Sequence, residues 1–251
     1  MPLSIEELAL LSVVALIAGA VDAVAGGGGL LTVPAFLAAG LPPHLALGTN
    51  KAQAVFGSGA ALVGFARARL VDPTLARISF PLGLVGSAAG AALVLLLEPS
   101  ILEPVVLALL VAVAIALAFR PTLLEGRRLL PNPRLAVAGL ALVIGAYDGF
   151  FGPGTGTFLV LGMVWWLGFT PTRASANAKV INFASNLAAV AIFAARGEVL
   201  WQVAAPMAVA QLLGGYLGTK VAVSGGDVLV RRVVLAVVFV LVGKLGFDFI
   251  N

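Results

Sequence analysis

The chain has no cysteine, a single histidine and little charge, and each scarcity closes a class of function. Without cysteine there is no disulfide, no thiolate nucleophile and no cysteine-held metal. With His44 as the sole imidazole, a histidine metal cluster is equally excluded, so no metal or cofactor is expected. Charged residues are 10% of the chain against 61% hydrophobic, and the mean hydropathy is +1.12, leaving too little polar surface for a water-soluble domain. The net charge of +4 comes from scattered cations rather than a basic domain, which argues against nucleic acid as a partner. Alternating polar and apolar strands are missing, which argues against a barrel.

What remains is an all-α integral membrane protein with the lipid bilayer as its surroundings. Apolar windows fall near 5–24, 45–66, 78–97, 102–119, 135–149, 174–195, 203–222 and 229–249, each close to the roughly 20 residues a helix needs to cross about 30 Å of hydrocarbon. Arg67, Arg69 and Arg77 lie in one connection and Arg120, Arg127, Arg128 and Arg134 in another, whereas the connection between them holds Glu98 and Glu103. The positive-inside rule places the arginine loops, and with them the N-terminus, in the cytoplasm of a prokaryotic inner membrane. The first span lacks the cationic start of a signal peptide and carries Glu6 and Glu7.

The chain is internally duplicated. AGAVDAVAGGGG at 18–29 is answered by IGAYDGFFGPGTG at 144–156, and GLPPHLALGTNKAQAVFGS at 40–58 by GFTPTRASANAKVINFASN at 168–186, with an offset of 126 to 128. Asp22 matches Asp148, Lys51 matches Lys179, and Ser58 matches Asn186; Gly86 and Gly90 match Gly214 and Gly218, a spacing that suits close helix packing. The unit is a four-span repeat: 1–120, a cytoplasmic linker at 121–133, then 134–251, giving eight transmembrane helices. An even number of spans gives both halves one orientation; should residues 29–43 cross fully, each half would have five crossings and the halves would invert.

Four glycines, Gly26, Gly27, Gly28 and Gly29, should end the first helix, and Gly152, Pro153, Gly154 and Gly156 should do the same in the second copy, around Thr155. The segments after them, 29–39 and 155–168, are too short to cross and are expected to be re-entrant half-helices. Broken backbone at membrane depth is tolerated only inside protein or beside a watery cavity, and a matched pair of such breaks points to a transport site.

Loop cations are all arginine, while the lysines lie within apolar segments. Lys220 and Lys244 sit towards span ends, where snorkelling explains them. Lys51 and Lys179 lie deeper and at equivalent places in the two copies. Ser175, Lys179, Asn182 and Asn186 share one helix face; Lys51 and Ser58 form a thinner version beside Thr49, Asn50 and Gln53. With Asn177 and Ser185, these groups and the glycine-turn amides suit a small oxyanion, aided by half-helix N-termini near Leu30 and Thr157. Asp22 and Asp148 have two readings: partners of the lysines or caps of the broken ends, or proton carriers in transport. His44, beside two prolines at a span entrance, is expected at the interface.

The paired glycine segments, followed by LGTNKAQAVFGS and ANAKVINFASN, resemble the TauE/SafE sulfite exporter family of membrane permeases from about residue 5 to 247. The resemblance implies transport of a small sulfur-containing or organic anion, such as sulfite, a sulfonate or sulfoacetate, and leaves substrate, direction and oligomeric state open. A passive anion channel is the main alternative. An intramembrane enzyme built on Gly57-Ser58-Gly59 would lack a base, because His44 lies on the same segment 14 residues upstream.

Overall fold

A computed structural model describes residues 3–118 and 132–250; the side chains at 103, 114–118, 231 and 233–250 fall outside that description. The described residues are helical with no strand among them: α1 (Ile5–Ala25), α2 (Gly29–Ala38), α3 (Pro43–Arg67), α4 (Pro73–Val94), α5 (Pro99–Ala118), α6 (Pro133–Phe150), α7 (Thr155–Leu167), α8 (Pro171–Ala195) and α9 (Trp201–Ile250). The last is broken at Gly226, whose φ of 59° departs from helical geometry. Local chemistry sets these ends. Ser4 and Glu7 form a capping box on α1, Asp72 and Asn132 cap α4 and α6, and Pro43, Pro73, Pro133 and Pro171 occupy first-turn positions that lack an amide need. The expected linker at 121–133 lies outside the described residues save for its last two, as does the Lys244 side chain.

The helix directions follow from contacts at the two ends. At one end Leu11 packs with Phe36, Leu41 and Val203, Leu200 N donates to Thr49 Oγ1 at 3.0 Å, and His44 Nε2 lies 3.2 Å from Val94 O. At the other, Asp72 N donates to Asn177 Oδ1 at 2.9 Å, and Asp72, Thr74, Pro133, Arg134, Leu167 and Arg173 line one surface cleft. So α2 turns back beside α1 and returns to the end where α1 began, and α7 returns likewise beside α6. The first end, with Glu6, Glu7, Glu98, Arg196 and Glu198, is the acidic one; the second, with Arg67, Arg69, Arg77, Arg134 and Arg173, is the basic one.

This arrangement corrects the expectation that both halves point the same way. Because α1 and α2 together make no net passage, the first half is left with the odd set α3, α4 and α5. The consequence is visible at the centre, where α3 starts at the acidic end beside the C-terminus of α8 and finishes at the basic end beside its N-terminus. The inversion comes from the hairpins, not from a full crossing by 29–43.

The halves interlock through their glycines. Gly86 and Gly90 of α4 lie against the backbone of Leu142, Ala146 and Phe150 on α6, and Gly214 and Gly218 of α9 lie against Leu16 and Ala20 on α1. A Cβ at any of the four would overlap that backbone, so the small-residue spacing lets each helix of one half seat on the other. Length and apolarity alone mark four candidate spans among the described residues: Ile5–Ala25, Pro73–Val94, Pro133–Phe150 and Pro171–Ala195. The 25-residue α3 is long enough but is diluted by Thr49, Asn50, Lys51 and Gln53, all of them buried in protein.

Candidate functional site

The two breaks meet. Gly26 and Gly27 take φ of 70° and 109°, and Gly152 and Gly154 take 102° and 83°, conformations that favour glycine. A Cβ on Gly26 would overlap the Cα and carbonyl carbon of Gly156. Thr157 Oγ1 bridges the two breaks, lying 2.9 Å from Gly26 O and 3.2 Å from Ala25 O. Ser175 Oγ donates to Val24 O at 2.7 Å, tying α8 to the same break.

Both deep lysines are 1% exposed, and each is paired with an aspartate of the other half. Lys51 Nζ donates to Asp148 Oδ1 at 2.6 Å, and Lys179 Nζ to Asp22 Oδ2 at 2.7 Å. The two pairs therefore cross between the halves, one on each side of the glycine contact. Their charges cancel, so these four groups carry no net charge where the lysines alone would be cationic. The pairing reading of Asp22 and Asp148 is realised, and for Asp22 so is the capping reading: its Oδ1 accepts from Gly27 N at 3.2 Å and from Gly28 N at 3.3 Å, at the start of α2. The Asp22 carboxylate thus occupies the place at a half-helix N-terminus where an anion would be favoured, while Asp148 meets the Thr155 hydroxyl at the start of α7.

The pairs differ. Asp148 accepts also from Thr155 Oγ1 at 3.1 Å, from Asn182 Nδ2 at 3.4 Å and from Ser185 Oγ, and its side chain is 3% exposed. Asp22, with no side-chain donor besides Lys179 among the described bonds, is 15% exposed. Asp148 is thus locked by its partners, whereas Asp22 is held by one ammonium and two amides and is partly exposed.

Other expected site residues divide. Gly29 approaches Pro153 across the breaks and Asn50 beside them. Asn50 Oδ1 accepts from Thr32 Oγ1 at 2.6 Å and from Gln53 Nε2 at 3.2 Å. Asn186 Nδ2 reaches Ser58 Oγ at 3.5 Å across α3 and α8, while the Ser58 hydroxyl donates back to Ala54 O. Thr49 and Asn177 do not join them: Thr49 closes the acidic end on Leu200, and Asn177 closes the basic end on Asp72, Leu70 and Arg173. His44 is buried against Val94 O at the acidic end, and Lys220 is exposed with Nζ 4.4 Å from the centre of the Tyr216 ring. Sequence reasoning missed Thr32 and Gln211; the lone glutamine in AVAQLLGG was the available signal for the latter.

The chain matches the family model described as sulfite exporter TauE/SafE over residues 11–245. It is 40% identical to a probable membrane transporter protein of Haemophilus influenzae, over 99% of this chain and 98% of that one. It is 37% identical to the probable membrane transporter protein ORF9 of a Sinorhizobium species, over 98% and 95%. The probable membrane transporter protein YfcA of Escherichia coli K12 is also 37% identical, over 96% and 90%. No solved structure matches the chain.

Proposed function

Because the chain belongs to the sulfite exporter TauE/SafE family of membrane transporters, we propose that it carries a small sulfur-containing or organic anion, such as sulfite, a sulfonate or sulfoacetate, through a single site where its two breaks meet. It is a transporter and not an enzyme: its relatives are named as transporters, and Ser58 and His44 on α3 are separated by about 21 Å of helix. The observation that carries the site is the contact of Gly26 with Gly156, flanked by two buried Lys–Asp pairs that cross between the halves.

The mechanism follows from the difference between the pairs. Asp22 serves as an internal anion at the N-terminus of α2. A proton on its carboxyl cancels its hold on Lys179, and the freed ammonium, with the Gly27 and Gly28 amides, then receives the cargo anion. When the proton and a monoanion enter together the net charge of the site is the same before and after the exchange, since an anion replaces a carboxylate. This exchange makes proton coupling intrinsic to the site and favours a carrier over a passive channel. Asp148 and Lys51 hold the second hairpin in place during the exchange. Substrate contacts are proposed at Gly26, Gly27, Gly28, Lys179, Gly154, Gly156 and Asn182.

The inverted halves suit alternating access, in which one half rocks against the other about a fixed central site. Under the positive-inside rule the basic end faces the cytoplasm, and the N-terminus, on the acidic end with Glu6 and Glu7, faces outwards. This replaces the cytoplasmic N-terminus expected from span counting.

The test is sulfite uptake into proteoliposomes by the wild type and by the charge-neutral pair Asp22→Asn with Lys179→Met. Wild-type uptake should saturate and rise when the pH gradient favours proton entry with sulfite, and the double variant should lose at least about tenfold, the worth of one charged hydrogen bond. Uptake that stays proportional to sulfite concentration would make the protein a channel, and an unimpaired double variant would move the site elsewhere.

A further inference from the structure

The interface of α3 and α9 holds a second polar feature that the anion site does not use. Gln53 and Gln211 are 0% and 3% exposed, and the side-chain oxygen of each is buried without a hydrogen-bond partner. The Gln53 amide is oriented by its Nε2, which donates to Asn50 Oδ1, itself held by Thr32; its Oε1 therefore points away from that network. A Cβ on Gly57, one helical turn beyond Gln53 on the same face, would lie 3.3 Å from the Gln211 amide carbon. The duplication places the two glutamines together independently. At the offset of 128 their counterparts are Ile181 and Gly83, and those two touch, with Ile181 Cγ2 3.4 Å from a Cβ built on Gly83. One half of the molecule thus fills this position with aliphatic packing, and the other half with two unpaired carbonyl oxygens.

A buried acceptor without a donor costs about 1–3 kcal/mol, and nothing about the packing demands it, since the mirror position does without. Two buried amide oxygens without donors, on helices that pack together, call for a cation. The group contains no carboxylate, and among the described residues no cluster of histidine, cysteine, aspartate or glutamate could hold a metal ion. Neutral oxygens alone suit a monovalent ion over calcium or magnesium, which favour carboxylates. We propose that Gln53 and Gln211, with Asn50 behind Gln53, bind sodium between α3 and α9. As a coupling ion it rests on the transporter reading above; as a binding site it does not, because it needs no substrate.

The test uses the purified protein without substrate anion, melted across a sodium chloride series balanced with choline chloride. Sodium should raise the melting temperature saturably. Gln53→Ile, which copies the mirror position, should raise the half-saturating sodium concentration at least about tenfold, the loss of one ligand to a charge. Gln53→Glu, which puts a charge on the same oxygen, should lower it. Identical wild-type melting in the sodium and choline salts overturns the proposal and leaves the two oxygens to a buried water. So does a Gln53→Glu variant whose sodium response matches the wild type.

Discussion

Lys51→Met should destabilise the folded protein by about 3–5 kcal/mol, the cost of stranding one partner of a buried ion pair, and lower its thermal midpoint by on the order of 10 °C. Asp148 sits 2% exposed, and without Lys51 its charge has only the Thr155, Ser185 and Asn182 donors. Those bonds soften the loss without supplying a counter-charge. Adding Asp148→Asn should recover most of the stability, because removing both members of a buried pair is commonly near neutral. Thr155 and Ser185 then fall back on their second acceptors, Gly152 O and Asn182 O. Lys179→Met should cost less than Lys51→Met, because Asp22 keeps two amide donors and is partly exposed. Melting curves of the four proteins decide this. Equal losses at the two lysines would contradict the division into a locked pair and an exchangeable one.

Gly26→Ala should be severely damaging, because it combines backbone strain with a backbone clash. The φ of 70° with ψ of 157° is backbone essentially open to glycine alone and costs a Cβ-bearing residue about 1–3 kcal/mol, and the added carbon overlaps Gly156 backbone that cannot swing aside, which adds about 1–3 kcal/mol of overpacking. The hairpin tips would have to separate, parting Thr157 from the carbonyls of Ala25 and Gly26. Gly40→Ala separates the two effects: Gly40 has a φ of 79°, but a methyl group there would meet nothing within 4 Å, so only the backbone strain applies. Thermal melting should rank Gly26→Ala well below Gly40→Ala, with transport lost only in the former. Matching losses would mean that the breaks are not in contact.

Much of this was legible in the sequence. Apolar windows located the helices because lipid-facing length is a local property, and the glycine runs located both breaks because a helix cannot absorb so many flexible residues. The sequence offered pairing of the aspartates with the lysines as one reading but concealed which lysine meets which aspartate. Lys51 and Asp148 are 97 residues apart, Lys179 and Asp22 are 157 apart, and no periodicity reports that two deep cations are neutralised by the opposite half. Residue type grouped Asn177 with Lys179 as a donor for an anion but could not tell that Asn177 is consumed by the backbone at Leu70 and Asp72. Direction was concealed for a similar reason. Whether α2 continues across or folds back depends on Phe36 finding Leu11 and Val203, a tertiary contact that span counting ignores.

Two inverted halves interlocked at their breaks must place the two chain ends of α1 and α4 on opposite sides of the membrane, and sidedness tests that most directly. The natural absence of cysteine allows single cysteines at exposed Ser4 and Thr74, on the acidic and basic ends, to be probed with a membrane-impermeant maleimide on intact cells. Ser4→Cys should label from outside and Thr74→Cys only after permeabilisation. Protection of both positions in intact cells would return the N-terminus to the cytoplasm, make the halves parallel, and contradict the arrangement on which the shared site depends.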